Sequence, residues 1–376
     1  MSPALILSCV IAYSALLFYV VWKSSRNADN ESYFIGNKSS KWYLVAYGMI
    51  GASLSGVTFM SVPGLVGTTS FSYMVLVFGY FFGYAIIALV LLPLYYKMNL
   101  TSIYTYLERR FGFWSYKTGA FFFIVSRTIG AAFRLYIVVN VLQLFIFDAW
   151  GVPFWVTVLA FILLILLYTY EGGVKTIVLT DTLQTTFMLL AIVISVFYIS
   201  NELDMGIFDL FSAIHAKGYD KMFNMDWHSK SYFLKQFFGG MFIAVAMTGL
   251  DQEMMQKNIS VRTLGDSQKN IFSFSFVLVF INLLFLCLGA LLFLYSTAKG
   301  IPLPEKSDDL FPIIALNHLG GLVGIVFIIG LISAAYPSAD GALTALTSSF
   351  CIDFLNFKKS AWTEEHKKKI RYIVHF

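Results

Sequence analysis

The feature that most constrains this chain is a repeated one. About 20 mostly apolar residues recur near 3–22, 42–62, 72–96, 114–147, 153–170, 174–199, 233–250, 269–296 and 320–350. A helix needs about that length to cross the hydrocarbon of a bilayer. Only helices and closed barrels satisfy their own backbone hydrogen bonds there. The spacing therefore predicts an all-α polytopic membrane protein with nine spans and no soluble domain. Composition agrees: 58% of the residues are apolar and 12% charged, against ~45–50% and ~25% in soluble domains. So few charges cannot coat a water-facing surface, and so apolar a chain does not stay disordered. The first stretch has no preceding basic residue and is followed by Lys23-Ser24-Ser25-Arg26, not by a small-residue cleavage site. It reads as a retained helix rather than a signal peptide.

Basic residues set the expected orientation. Alternate loops at 23–41, 97–117, 171–175, 251–269 and 351–371 hold 18 Lys and Arg, whereas those at 63–71, 148–152, 200–232 and 297–319 hold 5. That asymmetry places the N-terminus outside and the last basic loop in the cytoplasm. The aromatic residues suit lipid-facing and interfacial surfaces and do not alternate with basic patches, so no nucleic-acid partner is expected. Cys9, Cys287 and Cys351 have no paired spacing, which excludes a disulfide framework or a CxxC metal site. The outside loop 200–232 carries Phe208-Asp209-Leu210-Phe211-Ser212-Ala213-Ile214, a short surface helix. The last residues, Ile370 to Phe376, read like the start of another apolar segment. A C-terminal truncation is the expectation.

Ionisable groups at membrane depth cost at least ~2.5–3.5 kcal/mol each, so every one needs a reason. Arg127 and Arg134 lie seven residues apart and share one helix face. They can present guanidinium to an anionic substrate, pair with a carboxylate, or snorkel from a tilted helix. Asp181 sits in Thr180-Asp181-Thr182-Leu183-Gln184-Thr185-Thr186 and Asp340 in Ser338-Ala339-Asp340-Gly341. Carboxylate and hydroxyl oxygens suit a hard cation. Two spans that each offer both favour an ion or proton path over local hydrogen bonding. The second span reads Gly51-Ala52-Ser53-Leu54-Ser55-Gly56-Val57-Thr58, then Pro63-Gly64. Such residues let a helix unwind in mid-membrane and free carbonyls for Na⁺, although small residues also serve close helix packing.

Four groups of residues carry a family resemblance. They are Ala52-Ser53-Leu54-Ser55-Gly56 with Pro63-Gly64; Thr101-Ser102-Ile103-Tyr104-Thr105-Tyr106-Leu107-Glu108-Arg109-Arg110-Phe111-Gly112; Glu171-Gly172-Gly173-Val174-Lys175 with Thr180-Asp181-Thr182-Leu183-Gln184; and Gly249-Leu250-Asp251-Gln252 with Gln256, followed by Asp309-Leu310-Phe311-Pro312. In order and spacing the chain resembles the sodium/solute symporter family along nearly its whole length. Its character is closest to the bacterial-type members that carry anions such as sialic acid.

The resemblance implies two inverted five-helix repeats preceded by one extra helix, working by alternating access. It makes 1–376 a single transporter domain, with 3–22 the extra helix, 42–199 the first repeat and 232–376 an incomplete second repeat. So short a chain would be unable to transport. A multi-pass place in a bacterial inner membrane follows, with no obligate protein partner. Na⁺ is the implied coupling ion. Its common site falls on Gly51, Leu54, Ala334 and Ser338. Position 337 departs from the family, where Ser or Thr stands in place of Pro337. A second cation is expected to be shared by Asp181 and Asp340, with proton coupling open. Substrate contacts fall on Ser53, Ser55, Thr58 and Tyr73, with Arg127 and Arg134 resembling the carboxylate-reading arginine and Arg134 the better match. Ala244-Val245-Ala246-Met247 replaces the polar residues of sugar-carrying relatives, so an organic anion is the expected solute.

The other readings are a neutral-solute symporter, a transporter-like sensor domain and a membrane-embedded enzyme. The enzyme reading finds no HExxH or GxSxG, and the five His are scattered. Gln252, Glu253 and Gln256 are read as ordinary polarity at a cytoplasmic helix end.

Overall fold

A computed structural model describes residues 3–25, 30–170, 172–357 and 360–376, so Arg26 and Glu171 lie outside the described residues. Among the described residues the chain is helical, with two isolated bridges in place of any strand. Each of the nine apolar stretches contains helix, and polar residues punctuate them. The first half comprises α1 (Pro3–Ser25), α2 (Asn30–Ile35), α3 (Trp42–Ser53), α4 (Gly56–Thr69), α5 (Tyr73–Ile86), α6 (Leu92–Lys97), α7 (Thr105–Phe111), α8 (Phe113–Leu142), α9 (Phe154–Thr169) and α10 (Gly173–Glu202). The second half comprises α11 (Ile207–Ala216), α12 (Phe233–Ala244), α13 (Gln252–Ile259), α14 (Leu264–Lys299), α15 (Leu310–Asn317), α16 (Gly320–Ser349) and α17 (Glu364–His375). The surface helix expected in the outside loop is α11. Its Phe208 and Phe211 are exposed, and its Leu210 and Ile214 are buried.

Among the described residues six helical stretches are long and apolar enough to cross a membrane alone. A bent pair, Phe233–Gly249 with Gln252–Ile259 at 66°, makes a seventh. The protein is thus a multi-pass membrane protein. Phe121, Phe122 and Phe133 of α8 and Leu159 and Leu163 of α9 are exposed in the isolated chain, as lipid-facing side chains should be. At the centre lie α14 and α16. Lipid supplies little hydrophobic drive between helices, so close contact depends on small residues. On α16, Gly330 meets Ala191 of α10 and Phe59 of α4 so closely that a methyl group there would fall 2.3 Å from the Ala191 Cβ. A Cβ on Gly79 of α5 would lie 2.0 Å from the Phe237 carbonyl oxygen of α12, and one on Gly240 2.1 Å from the Leu76 oxygen. Backbone touches backbone along that pair.

Two regions differ from the sequence reading. The segment 251–269, expected as a solvated loop, contains α13, whose eight residues are all buried. Lys257, counted among the cytoplasmic basic residues, is 3% exposed. Arg371, counted likewise, is also buried, with its guanidinium 4.1 Å from the centre of the Tyr33 ring. In both cases a polar sequence segment folds inward because buried partners receive it.

Gly79→Val places a Cβ and two methyl groups in the α5–α12 contact, and the Cβ cannot be moved by side-chain rotation. Overpacking of this kind costs about 1–3 kcal/mol. A lowered thermal unfolding midpoint in detergent checks it, with Gly130→Val, at a site open within 4 Å, as the control.

Candidate functional site

The site begins with the break expected in the second span. Helix α3 stops at Ser53, Leu54 (φ −88°, ψ 84°) and Ser55 (φ −72°, ψ 172°) are non-helical, and α4 restarts at Gly56. Gly51, two hydroxyl residues and Gly56 give little side-chain packing to hold a continuous helix. The Gly51 N–H is drawn aside to Thr185 Oγ1 of α10 at 3.0 Å. Around the break, Leu54 N–H donates to Ile50 O and Phe59 N–H to Ser55 O. Among the described residues no backbone N–H donates to the carbonyls of Gly51 or Leu54. Two buried carbonyls without donors are a natural place for a cation.

Helix α16 passes beside this break. A Cβ on Gly56 would lie 3.9 Å from the Ala335 backbone. Pro337 sits inside α16. It has no N–H to give the Ser333 carbonyl one turn back. Ser338 Oγ donates to Ala335 O at 2.8 Å, which leaves its lone pairs to accept or to ligate. Gly51, Leu54, Ala334 and Ser338 are all buried on these two facing elements.

On the other side of the break opens a cavity of about 280 Å³. Ser53, Ser55, Thr58, Tyr73, Arg127 and Arg134 all line it. These are the six substrate contacts expected from the sequence. Tyr80, Tyr84, Thr248 and Asn282 line it as well and were missed. Asn282, an amide in the middle of the apolar run of a 36-residue helix, was the available signal. The two arginines are in different states. Arg127 is held by Glu253, in close contact, and its other terminal nitrogen lies 3.6 Å from Asp251. Arg134 has no hydrogen bond or ion pair among the described residues. With Arg127 compensated, the cavity carries one free positive charge, and the first turn of α4 adds unpaired N–H groups at Val57 and Thr58.

Asp181 and Asp340 are fully buried on α10 and α16. Lys257 Nζ donates to Asp181 Oδ2 at 2.7 Å, and Tyr168 OH donates to Asp340 Oδ2 at 2.8 Å. The Oδ1 atom of each has no hydrogen-bond partner among the described residues. Among those residues no group of three His, Cys, Asp or Glu is placed to hold a metal ion. Any cation here would draw on hydroxyl and carbonyl oxygens too.

Lys257 is the residue the sequence reading passed over, because its polar neighbours suggested a loop. It belongs to α13, and so do the three residues read as helix-end polarity. Gln252 bonds Thr101 O and Ile103 N–H, at 2.9 Å each, and Gln256 bonds Phe34 O at 2.6 Å and Ser348 Oγ at 2.9 Å. Glu253 lies 3.6 Å from Lys257 and against Gly341 of α16, where a Cβ would sit 2.4 Å from its Oε1. The polar residues of α13 are thus a buried clamp.

Removing one member of a buried ion pair typically costs about 3–5 kcal/mol, because the other is left uncompensated. Asp181→Asn and Lys257→Met should each lower stability by that order, and the double variant by markedly less than the sum. Thermal unfolding of the four proteins in detergent gives the coupling energy.

Comparison with known proteins follows the same lines. The model of the sodium:solute symporter family matches residues 33–375. The chain is similar to a sodium/sialic acid symporter of Proteus mirabilis, 24% identical over 372 residues, covering 96% of this chain and 73% of that protein. It is similar to a sodium/sialic acid symporter of Aliivibrio fischeri, 24% identical with 95% and 70% covered. The human sodium-coupled monocarboxylate transporter 1 is 25% identical, with 90% of this chain and 55% of that protein covered. Among solved structures, a substrate-bound outward-open Na⁺-coupled sialic acid symporter superposes with a TM-score of 0.88 at 23% identity, over 98% of this chain and 79% of that one. The fold is therefore the one that symporter has. A family match running from α2 to the end of α17 makes this chain a member of the sodium:solute symporter family.

Proposed function

We propose that this sodium:solute symporter takes up a small organic anion with one carboxylate, of which sialic acid is an example. The observation that carries the reading is Arg134: a guanidinium with no hydrogen bond or ion pair among the described residues, lining a cavity beside the N-terminal end of a half-helix. A half-buried charge without an ion pair is costly in a membrane protein and calls for a ligand of opposite sign. The α4 N-terminus favours the same sign, while Ser53, Ser55, Thr58 and Tyr73 offer hydrogen bonds for orientation. The named solutes of the similar proteins, sialic acid and monocarboxylates, are anions of this kind.

Sodium binds, in this reading, to the free carbonyls of Gly51 and Leu54, with Ala334 and Ser338 closing the site from α16. Leu54 belongs to both the sodium site and the cavity lining, so the ion holds the broken helix in the shape that the anion requires. Asp181 and Asp340 take a second cation through their unpartnered oxygens. Residues 42–199 and 232–376 form the two repeats. Each opens with an interrupted helix, α3–α4 in the first and α12–α13 in the second, the position where such folds place their binding sites. The N-terminus lies outside and the membrane is a bacterial inner membrane, in keeping with the basic loops.

A hydrogen bond to a charged group contributes about 1.5–3 kcal/mol. Arg134→Gln should therefore raise the dissociation constant for N-acetylneuraminate roughly ten- to a hundredfold, whereas Ser338→Ala should mainly raise the sodium concentration needed. Equilibrium binding to purified protein over a sodium series separates the two. Wild-type affinity in Arg134→Gln would falsify the anion reading.

A further inference from the structure

Helix α13 carries more buried charge than a clamp requires. Glu253 and Lys257 stand one turn apart on its inner face, and each reaches a different helix. Glu253 holds Arg127 of α8, which lines the anion cavity. Lys257 holds Asp181 of α10 at 2.7 Å, and Glu253 and Lys257 are themselves 3.6 Å apart. The result is an unbroken series of alternating sign, Arg127–Glu253–Lys257–Asp181, with every side chain at most 10% exposed. One end lies at the cavity and the other at the acidic pair of α10 and α16.

We propose that this series couples the two binding events by exchange of partners. The inference rests on the reading above, that an anion enters the cavity and a second cation meets Asp181 and Asp340. The four side chains are neutral as a set. A cation at Asp181 competes with Lys257 for the carboxylate, and Lys257, displaced, has Glu253 as its nearest acid. Glu253, drawn toward Lys257, gives up part of its hold on Arg127. That guanidinium then needs an anion, and the cavity provides the place for one. A cation alone leaves the set with a net positive charge, and the carboxylate that Arg134 draws into the same cavity offsets it. Both together restore neutrality in a medium where an unpaired charge costs several kcal/mol. Each ligand therefore favours the other without touching it, and the effect is reciprocal.

Gly341 supports the exchange. With no Cβ on α16 at that point, Glu253 has room between its two basic partners. Asp251, 3.6 Å from Arg127, keeps that guanidinium from being wholly bare when Glu253 turns away. Glu253 and Lys257 are thus positioning residues for ligands they do not contact.

The test measures linkage, which a purely structural role would leave alone. Purified full-length chain is titrated with N-acetylneuraminate and with lactate in sodium-free and in sodium-saturated buffer, and with ²²Na⁺ with and without the anion. For the wild type, sodium should tighten anion binding about 5- to 150-fold, and the anion should tighten sodium binding by the same factor. Glu253→Gln and Lys257→Gln should each bring that factor below about twofold while both ligands still bind, and Glu253→Asp should keep most of it. If a single substitution prevents folding, the paired variant Glu253→Gln/Lys257→Gln, which removes one charge of each sign, takes its place with the same expectation. Linkage of wild-type size in these variants overturns the inference, as does a wild type that binds both ligands without mutual influence. A wild type that binds neither sodium nor either anion overturns the functional reading itself, and the coupling falls with it.

Discussion

Everything in this structure is arranged around charge that has no water to face. Arg127, Glu253, Lys257, Asp181 and Asp340 lie at membrane depth or at its inner margin, and each must find its compensation inside the protein. That requirement explains why α13 turns by 66° from α12 instead of running on into the cytoplasm. Its acid and its base can be satisfied only by α8 and α10. Its two glutamines are satisfied by the turn at Thr101 and Ile103, by Phe34 of α2 and by Ser348 of α16. The helices on either side are then held at fixed distances by ion pairs, with less help from the apolar contacts that dominate soluble cores.

The same logic divides the molecule into two kinds of contact. The α5–α12 pair touches backbone to backbone through Gly79 and Gly240. Dense and free of charge there, it suits two helices that travel as one body. The α3–α10–α16 group is different. Gly51, Thr185, Ala335 and Ser338 meet around an interrupted helix whose carbonyls have been left without donors. A region that keeps unsatisfied polar atoms in its interior is built to be completed by something else. Sodium is the completion proposed for it, and the anion cavity is its neighbour across a single stretch of unwound chain.

Much of this was legible in the residues. Apolar stretches of span length located the helices because the bilayer imposes one length on all of them. Glycine and serine at 51–56 marked the break, and single charges in apolar spans marked Arg127, Arg134, Asp181 and Asp340. All six expected solute contacts line one cavity. Lys257 was not legible. In a run of Asp, Gln, Glu, Gln and Lys, nothing in the local pattern distinguishes a solvated loop from a helix that folds back into the protein. Arg371 was hidden for the same reason. Tyr80 and Tyr84 were hidden for the opposite one, since aromatic residues in a span are abundant and few of them face a site.

The amino-acid sequence by itself determined that the chain crosses a membrane many times, where its helices run and where one of them is interrupted. These properties follow from hydrophobicity and backbone preference, which act over a turn or a span. Only the tertiary structure decided which charges neutralise one another: that Arg127 is taken by Glu253 while Arg134 has no ion pair among the described residues, and that Asp181 already has an ammonium beside it. Pairing depends on distances of a few ångströms between helices far apart in the chain. Coulomb energy in a low-dielectric interior changes steeply over such distances, and no spacing along a sequence encodes them.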